Sequence, residues 1–152
     1  AWVKGDTLFS GYWRDGGIDR SCFRGDWYPM GDLFRRTASG GYQFVGRSKY
    51  LIKSGGENIY PAEIERVLLD DPRVEDAAVV RKPDDRWGEV PVAFIVRRGH
   101  DLEAADIDEL CRKSLAGYKR PKAVHFIDAA AMPRSETGKI IREELEVLAR
   151  NG

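Results

Sequence analysis

Two runs of β-forming residues, VEDAAVV (74–80) and VPVAFIV (90–96), stand either side of KPDDRWGE, a polar segment rich in turn formers. A chain carrying this pair has to build a sheet from it and cover that sheet. The flanking segments supply the cover, because their apolar residues recur at helical spacing. In PAEIERVLLD, Ile64, Val67 and Leu68 share one face. Pro61 suits the first position of that helix, and Asp70, Asp71 and Pro72 end it. In LEAADIDELCRKSLAG, Ile107, Leu110, Cys111 and Leu115 align, and Gly117 is expected to cap the helix. A strand around AVHFID, a loop AAAMPRSETG and a last helix with Ile141, Leu145 and Leu148 aligned complete the pattern. The order after residue 48 is β-α-β-β-α-β-α, an α+β domain in which a small mixed sheet packs with about three helices.

Residues 1–47 read differently. Glycines and aromatics are frequent, apolar runs are short and helical periodicity is missing, which predicts strands and turns. The clearest piece is a hairpin from Leu33–Arg36 and Tyr42–Val45 around a loop with Gly40 and Gly41. The change of character divides the chain into a β-rich part, 1–48, and an α+β part, 49–152. The abrupt start inside a strand-rich region suggests a fragment.

Composition narrows the function. Lys plus Arg and Asp plus Glu each number 25, so no net field draws the chain to nucleic acid or an anionic membrane. Cys22 and Cys111 are far apart and the only histidines are His100 and His125, a pattern that offers neither a metal site nor a disulfide scaffold and suits a reducing cytosol. The opening AWVKGDTLFSGYW is no signal peptide, and no run approaches the length of a membrane span. A cytoplasmic location is the expectation.

Three glycine-flanked polar clusters, PMGDL, SGGEN and SETGK, each leave a charged group on a loop, where binding groups usually sit. SETGK is not a P-loop, since the first glycine of that motif would fall at Pro133 and its Ser/Thr at Ile140. What remains is Lys139 behind a flexible glycine, a mobile point charge able to reach a phosphate or carboxylate. For a single lysine, a solvated surface position is the ordinary alternative.

The combination of segments is more specific. In order and spacing, GYW, DWYPMGDL, GRSKYLIKSGGENIYPAEIE, YKRPK and PRSETGKIIREEL resemble consecutive signatures of the adenylate-forming superfamily, which includes acyl-CoA synthetases, luciferases and peptide-synthetase adenylation domains. The resemblance runs from about Gly11 to Leu145. It implies a C-terminal swivelling domain over 49–152, preceded by the β-rich end of a large AMP-binding domain over 1–48. It also implies ATP-dependent activation of a carboxylic acid to an acyl-adenylate, followed by transfer to coenzyme A.

Residue by residue, the resemblance gives Lys139 the catalytic role in adenylation, between the substrate carboxylate and the α-phosphate. Asp32 would bind the ribose hydroxyls, or else only fix a strand end; Arg47 would contact the nucleotide, or else be a surface charge. Lys49 occupies the hinge position, which an exposed boundary lysine would equally fill. Lys53 and Asn58 match polar positions near the adenylate in some relatives. Gly55 and Gly56 align with the loop lining the pantetheine tunnel of coenzyme A, although a plain hairpin turn also wants glycine. Lys119 and Arg120 stand where relatives place basic residues near phosphate or coenzyme A. Trp87, Gly88 and Glu89 match a family segment too, with a turn and packing role expected first.

Magnesium would be held mainly by the large N-terminal domain, the implied partner, whose ATP loop and acyl pocket have no counterpart in this sequence. By itself the fragment is expected to be inactive. Met30, Phe34 and Tyr50 depart from the residues usual at their positions. The Thr-Gly-Lys-Ile pattern is closer to CoA ligases than to peptide synthetases, with a fatty or aryl acid as the expected substrate. A non-catalytic protein-interaction module that retains the fold is the alternative.

Overall fold

The computed structural model describes residues 1–151. The chain forms two compact units, Ala1–Lys49 and a second beginning at Tyr50.

In the first unit, strands are short and pair two at a time. β1 (Trp2–Val3) lies antiparallel to β4 (Tyr28–Pro29), β2 (Tyr12–Arg14) to β3 (Gly17–Asp19), and β5 (Asp32–Arg36) to β6 (Tyr42–Arg47). The β2–β3 turn is Asp15-Gly16, with φ of 48° and 79°, the left-handed pair that suits a two-residue hairpin. Phe9 gathers Tyr12, Phe23 and Tyr28 with ring centroids 4.9–5.5 Å away, and the Tyr12 and Tyr28 hydroxyls meet at 2.8 Å.

The second unit carries one five-stranded sheet. β7 (Ile52–Ser54) and β8 (Glu57–Ile59) form a hairpin, α1 (Pro61–Leu69) follows, and β9 (Val74–Asp84) and β10 (Gly88–Arg97) make a long antiparallel ladder. α2 (Ala104–Ser114), β11 (Ala123–Phe126) and α3 (Arg142–Asn151) complete it. Strand order is β11-β10-β7-β8, with β9 on the other flank of β10; β11 is parallel to β10, so the sheet is mixed.

Alternation along β9 and β10 divides the core in two. Ala77, Val79, Ala93 and Ile95 face Ile64 and Leu68 of α1 and Ile107 and Cys111 of α2. Ala78, Val80, Val92 and Phe94 face Met132 and, from α3, Leu145 and Ala149. A strand whose odd and even residues are both apolar has to be covered on both faces, and three helices do so.

Several local expectations are corrected. The β-rich runs extend until only residues 85–87 separate them, because Asp84 Oδ1 accepts the N–H groups of Arg86 and Trp87 at 2.9 and 2.8 Å and closes the turn. A second strand, β8, follows the Gly-Gly turn. Gly117 does not cap α2: the helix ends at Ser114, the buried Leu115 is already extended, and Gly117 opens a 3-10 turn to Lys119. In α3, Leu148 is half exposed and Ala149 takes the core position, four residues after Leu145, while Ile141 precedes the helix.

The outer edge of β9 is occupied by side chains. Glu65 Oε1 accepts the Val79 N–H at 2.7 Å and Arg142 Nη1 donates to the Val79 carbonyl at 2.8 Å. The two side chains join in a fork, at 2.6 and 3.0 Å, which ties α1, β9 and the start of α3 together. The Arg142 guanidinium also lies 5.1 Å from the centre of the Tyr50 ring.

Candidate functional site

The first unit holds Asp32 and Arg47, which are direct partners across the β5–β6 ladder. Arg47 Nε is 2.9 Å from Asp32 Oδ1, an ionic contact whose N–H is turned off the oxygen, so that this buried Oδ1 accepts no hydrogen bond among the described residues. The half-exposed Arg47 guanidinium keeps N–H groups that can donate to an anionic oxygen, with the Asp32 carboxylate beside it. Lys49 lies in the 3-10 turn Ser48–Tyr50 and is the last residue of this unit.

In the second unit, Lys53 and Asn58 are cross-strand neighbours on β7 and β8, both exposed. The Lys53 N–H donates to Glu89 Oε2 at 2.8 Å, holding β7 against the start of β10. Gly55 and Gly56 form the two-residue turn between those strands with φ of 56° and 85°, left-handed backbone that glycine adopts without steric cost. Only Gly55 is closely approached. Its N–H donates to the Trp87 carbonyl at 2.8 Å, and a Cβ built there would lie 2.7 Å from Trp87 Cε3, whereas one at Gly56 meets nothing within 4 Å. Trp87 thereby exceeds the turn role read from sequence: with Gly55, Gly117, Tyr118 and Lys122 it lines a groove of about 290 Å³.

Lys119 and Arg120 adjoin this groove through Tyr118, and the charge of Lys119 is already paired. Lys119 Nζ is paired with Glu63 Oε1 at 2.6 Å, and Arg120 Nε donates to the Leu115 carbonyl at 3.4 Å.

Lys139 sits in a miniature hairpin, 133–141. Ile141 N–H donates to the Pro133 carbonyl at 2.9 Å, Ser135 N–H to the Lys139 carbonyl at 2.8 Å and Gly138 N–H to the Ser135 carbonyl at 2.8 Å. Gly138, at φ 79°, makes the bend that a side chain would resist. The Lys139 side chain is exposed and, among the described residues, has no hydrogen-bond or ion-pair partner. A cation on a tightly bonded loop with nothing to neutralise it is suited to an incoming anion.

The unit therefore presents its candidate residues at two places. The Gly55 turn meets the β9–β10 ladder at Trp87 and Gly88, while the Lys139 hairpin is tied to Asp76 at the other end through an Arg134 ion pair. From Asp76 to Asp84 the strand runs about 25 Å at roughly 3.3 Å per residue. Among the described residues, no group of three or more His, Cys, Asp or Glu side chains could hold a metal ion, and no helix is long and apolar enough to cross a membrane.

Residues 63–139, just over half of the 152-residue chain and ending on Lys139, match the AMP-binding enzyme C-terminal domain family. The chain belongs to that family. Relatives include the 2-succinylbenzoate–CoA ligase of Geobacillus kaustophilus, 40% identical over 96% of this chain and 30% of the relative. The long-chain-fatty-acid–CoA ligase FadD13 of Mycobacterium tuberculosis is 40% identical over 94% of this chain and 28% of its own length. Among solved structures, o-succinylbenzoate CoA synthetase from Bacillus subtilis, in complex with its acyl-adenylate intermediate, superposes with a TM-score of 0.84 at 35% identity, covering 95% of this chain and 29% of that one. The same enzyme has been solved with ATP and magnesium. The chain thus spans about 30% of the length of the relatives it matches. By name these relatives are CoA ligases and the neighbour a CoA synthetase, and the α+β sheet with three helices is the fold shared with that solved structure.

Proposed function

We propose that this chain is the C-terminal swivelling domain, from residue 49, together with the last part of the large AMP-binding domain, 1–48, of an ATP-dependent acyl-CoA synthetase acting in the cytoplasm. The complete enzyme converts a carboxylic acid and ATP to an acyl-adenylate and pyrophosphate, then passes the acyl group to coenzyme A. The observation that carries this reading is the separation of the two candidate surfaces by the length of the β9–β10 ladder. A turn of the domain about the segment at Lys49 would let one centre be served by both, first by the Lys139 hairpin and then by the Gly55–Trp87 groove.

In the first presentation, the unpaired Lys139 ammonium stabilises negative charge between the acid and the α-phosphate, while Asp32 accepts from the ribose hydroxyls and Arg47 donates to nucleotide oxygens. The large domain would hold most of the magnesium, which would supply neutralising charge at the phosphates. In the second, the groove beside Gly55 and Gly56 receives the thin pantetheine arm of coenzyme A. Lys53 and Asn58 lie beside that turn and offer polar contacts to the adenylate. The pairing of Lys119 with Glu63 and the bond of Arg120 to Leu115 give these two a supporting place under the groove, so a role in binding coenzyme A phosphate requires the Lys119 pair to open. The acids of the relatives, a succinylbenzoate and long-chain fatty acids, favour an aryl or fatty substrate.

The test is ATP–pyrophosphate exchange by the complete protein over a panel of fatty and aryl acids, with Lys139→Ala beside it. We expect exchange with one acid class and a loss of about 100- to 1000-fold in the variant. Exchange that survives the substitution removes Lys139 from the chemistry, and exchange with no acid favours a protein-interaction module instead.

A further inference from the structure

Lys139 can act only if its loop is fixed, and the structure shows what fixes it. The peptide bond joining Gly138 to Lys139 is gripped at both ends. Its carbonyl accepts from Arg134 Nη1 at 2.9 Å, and its N–H donates to Ser135 Oγ at 3.2 Å. Ser135 Oγ is itself 3.0 Å from Thr137 Oγ1. The other Arg134 nitrogen, Nη2, is paired with Asp76 Oδ2 at the head of β9. Asp76 is in turn immobilised, because its Oδ1 accepts the neighbouring Ala77 N–H at 2.8 Å. A continuous chain of bonds therefore runs from the central sheet through Asp76 and Arg134 to the plane of the peptide that carries Lys139.

We propose that Arg134, anchored by Asp76, and Ser135 are positioning residues for Lys139. They do not touch substrate; they hold the loop in the one orientation that aims its ammonium. The guanidinium is required for its geometry, since one planar fork bonds a carboxylate and a carbonyl at once, which a lysine ammonium on a flexible stem does less well. A displacement of about 1 Å in such a group can cost on the order of 100-fold in rate. This inference rests on the adenylation role given to Lys139 above.

The experiment uses the complete enzyme and separates the half-reactions: ATP–pyrophosphate exchange for adenylation, and thioester formation from supplied acyl-adenylate and coenzyme A for transfer. Arg134→Ala should lower kcat for exchange about 10- to 100-fold, leave KM for acid and ATP within twofold, and leave transfer unchanged. Arg134→Lys should recover only part of the loss. Ser135→Ala should lose less, and Ser135→Thr should restore it. Asp76→Asn combined with Arg134→Ala should be no worse than Arg134→Ala alone, because both break one chain of contacts. Equal losses in both half-reactions, or exchange within twofold of wild type in Arg134→Ala, would overturn the proposal. Lys139→Ala is run in parallel. Loss of exchange there, with Arg134→Ala unaffected, sinks the positioning role alone, while exchange surviving in Lys139→Ala sinks the underlying reading as well.

Discussion

Glu65→Ala should be among the most damaging single truncations in the second unit, and its size follows from three bonds. The carboxylate accepts the Val79 N–H at 2.7 Å and both Arg142 nitrogens at 2.6 and 3.0 Å. Val79 is fully buried, so its N–H finds no water in compensation, and a buried donor left unmade costs about 1–3 kcal/mol. The Arg142 side chain, 17% exposed, loses its counter-charge, and breaking a buried ion pair on one side costs about 3–5 kcal/mol. The two penalties share one carboxylate and the pair is not wholly dry, so the lower end, about 3 kcal/mol, is the expected total. At about 4–8 °C per kcal/mol for a unit of this size, Tm should fall by more than about 10 °C. Glu65→Gln keeps an acceptor for Val79 and should lose less. In Glu65→Ala with Arg142→Ala the stranded charge is gone, so the double variant should be about 1–3 kcal/mol more stable than the sum of the singles. Urea denaturation followed by far-ultraviolet circular dichroism measures wild type, Arg142→Ala and these three variants. A loss under about 1 kcal/mol in Glu65→Ala, or strict additivity, would refute the reasoning.

Two further outcomes are expected. Gly55→Ala and Gly56→Ala both force a side chain into left-handed backbone at a cost of about 1–2 kcal/mol, but only the first drives a methyl to 2.7 Å from the Trp87 ring. In the complete enzyme, transfer from supplied acyl-adenylate to coenzyme A should therefore fall further in Gly55→Ala than in Gly56→Ala; equal rates would detach Trp87 from the groove. The second concerns acid. The hydrogen bonds from the Arg73 side chain, then its backbone N–H, hold the Asp71 carboxyl below its ordinary value of 3.8. Its folded value is depressed, so its contribution is full above that pH and is lost as pH falls through the lower folded value. Asp71→Asn should flatten the acid limb of stability as pH falls below about 4, and an unchanged slope would show the pair contributes nothing there.

The sheet and its helices were legible because their signals are periodic. Ile64, Val67 and Leu68 read as one buried face and form one, and the doubly apolar runs 74–80 and 90–96 became strands covered on both sides. Ends were less legible. Leu115 leaves α2 because the core draws it in, two residues before the glycine that local propensity would choose. At the candidate sites, the loops were visible as glycine-flanked charges, but their partners were not. Nothing in the spacing of Glu63 and Lys119, or of Asp76 and Arg134, announces a pair separated by more than fifty residues. Trp87 was visible as an aromatic in a turn; that it lies over Gly55 depends on the register of β7 against β10.

The occupied margin of β9 has one more consequence. An eleven-residue strand paired on one side only is a template on which a second chain can crystallise its own backbone, the first step of fibrous aggregation. Here Val79 has both backbone groups taken by Glu65 and Arg142, Ala77 gives its N–H to Asp76, and Pro83 has none to give. With these groups engaged, the central stretch of this margin has few backbone donors left to start a ladder with another copy.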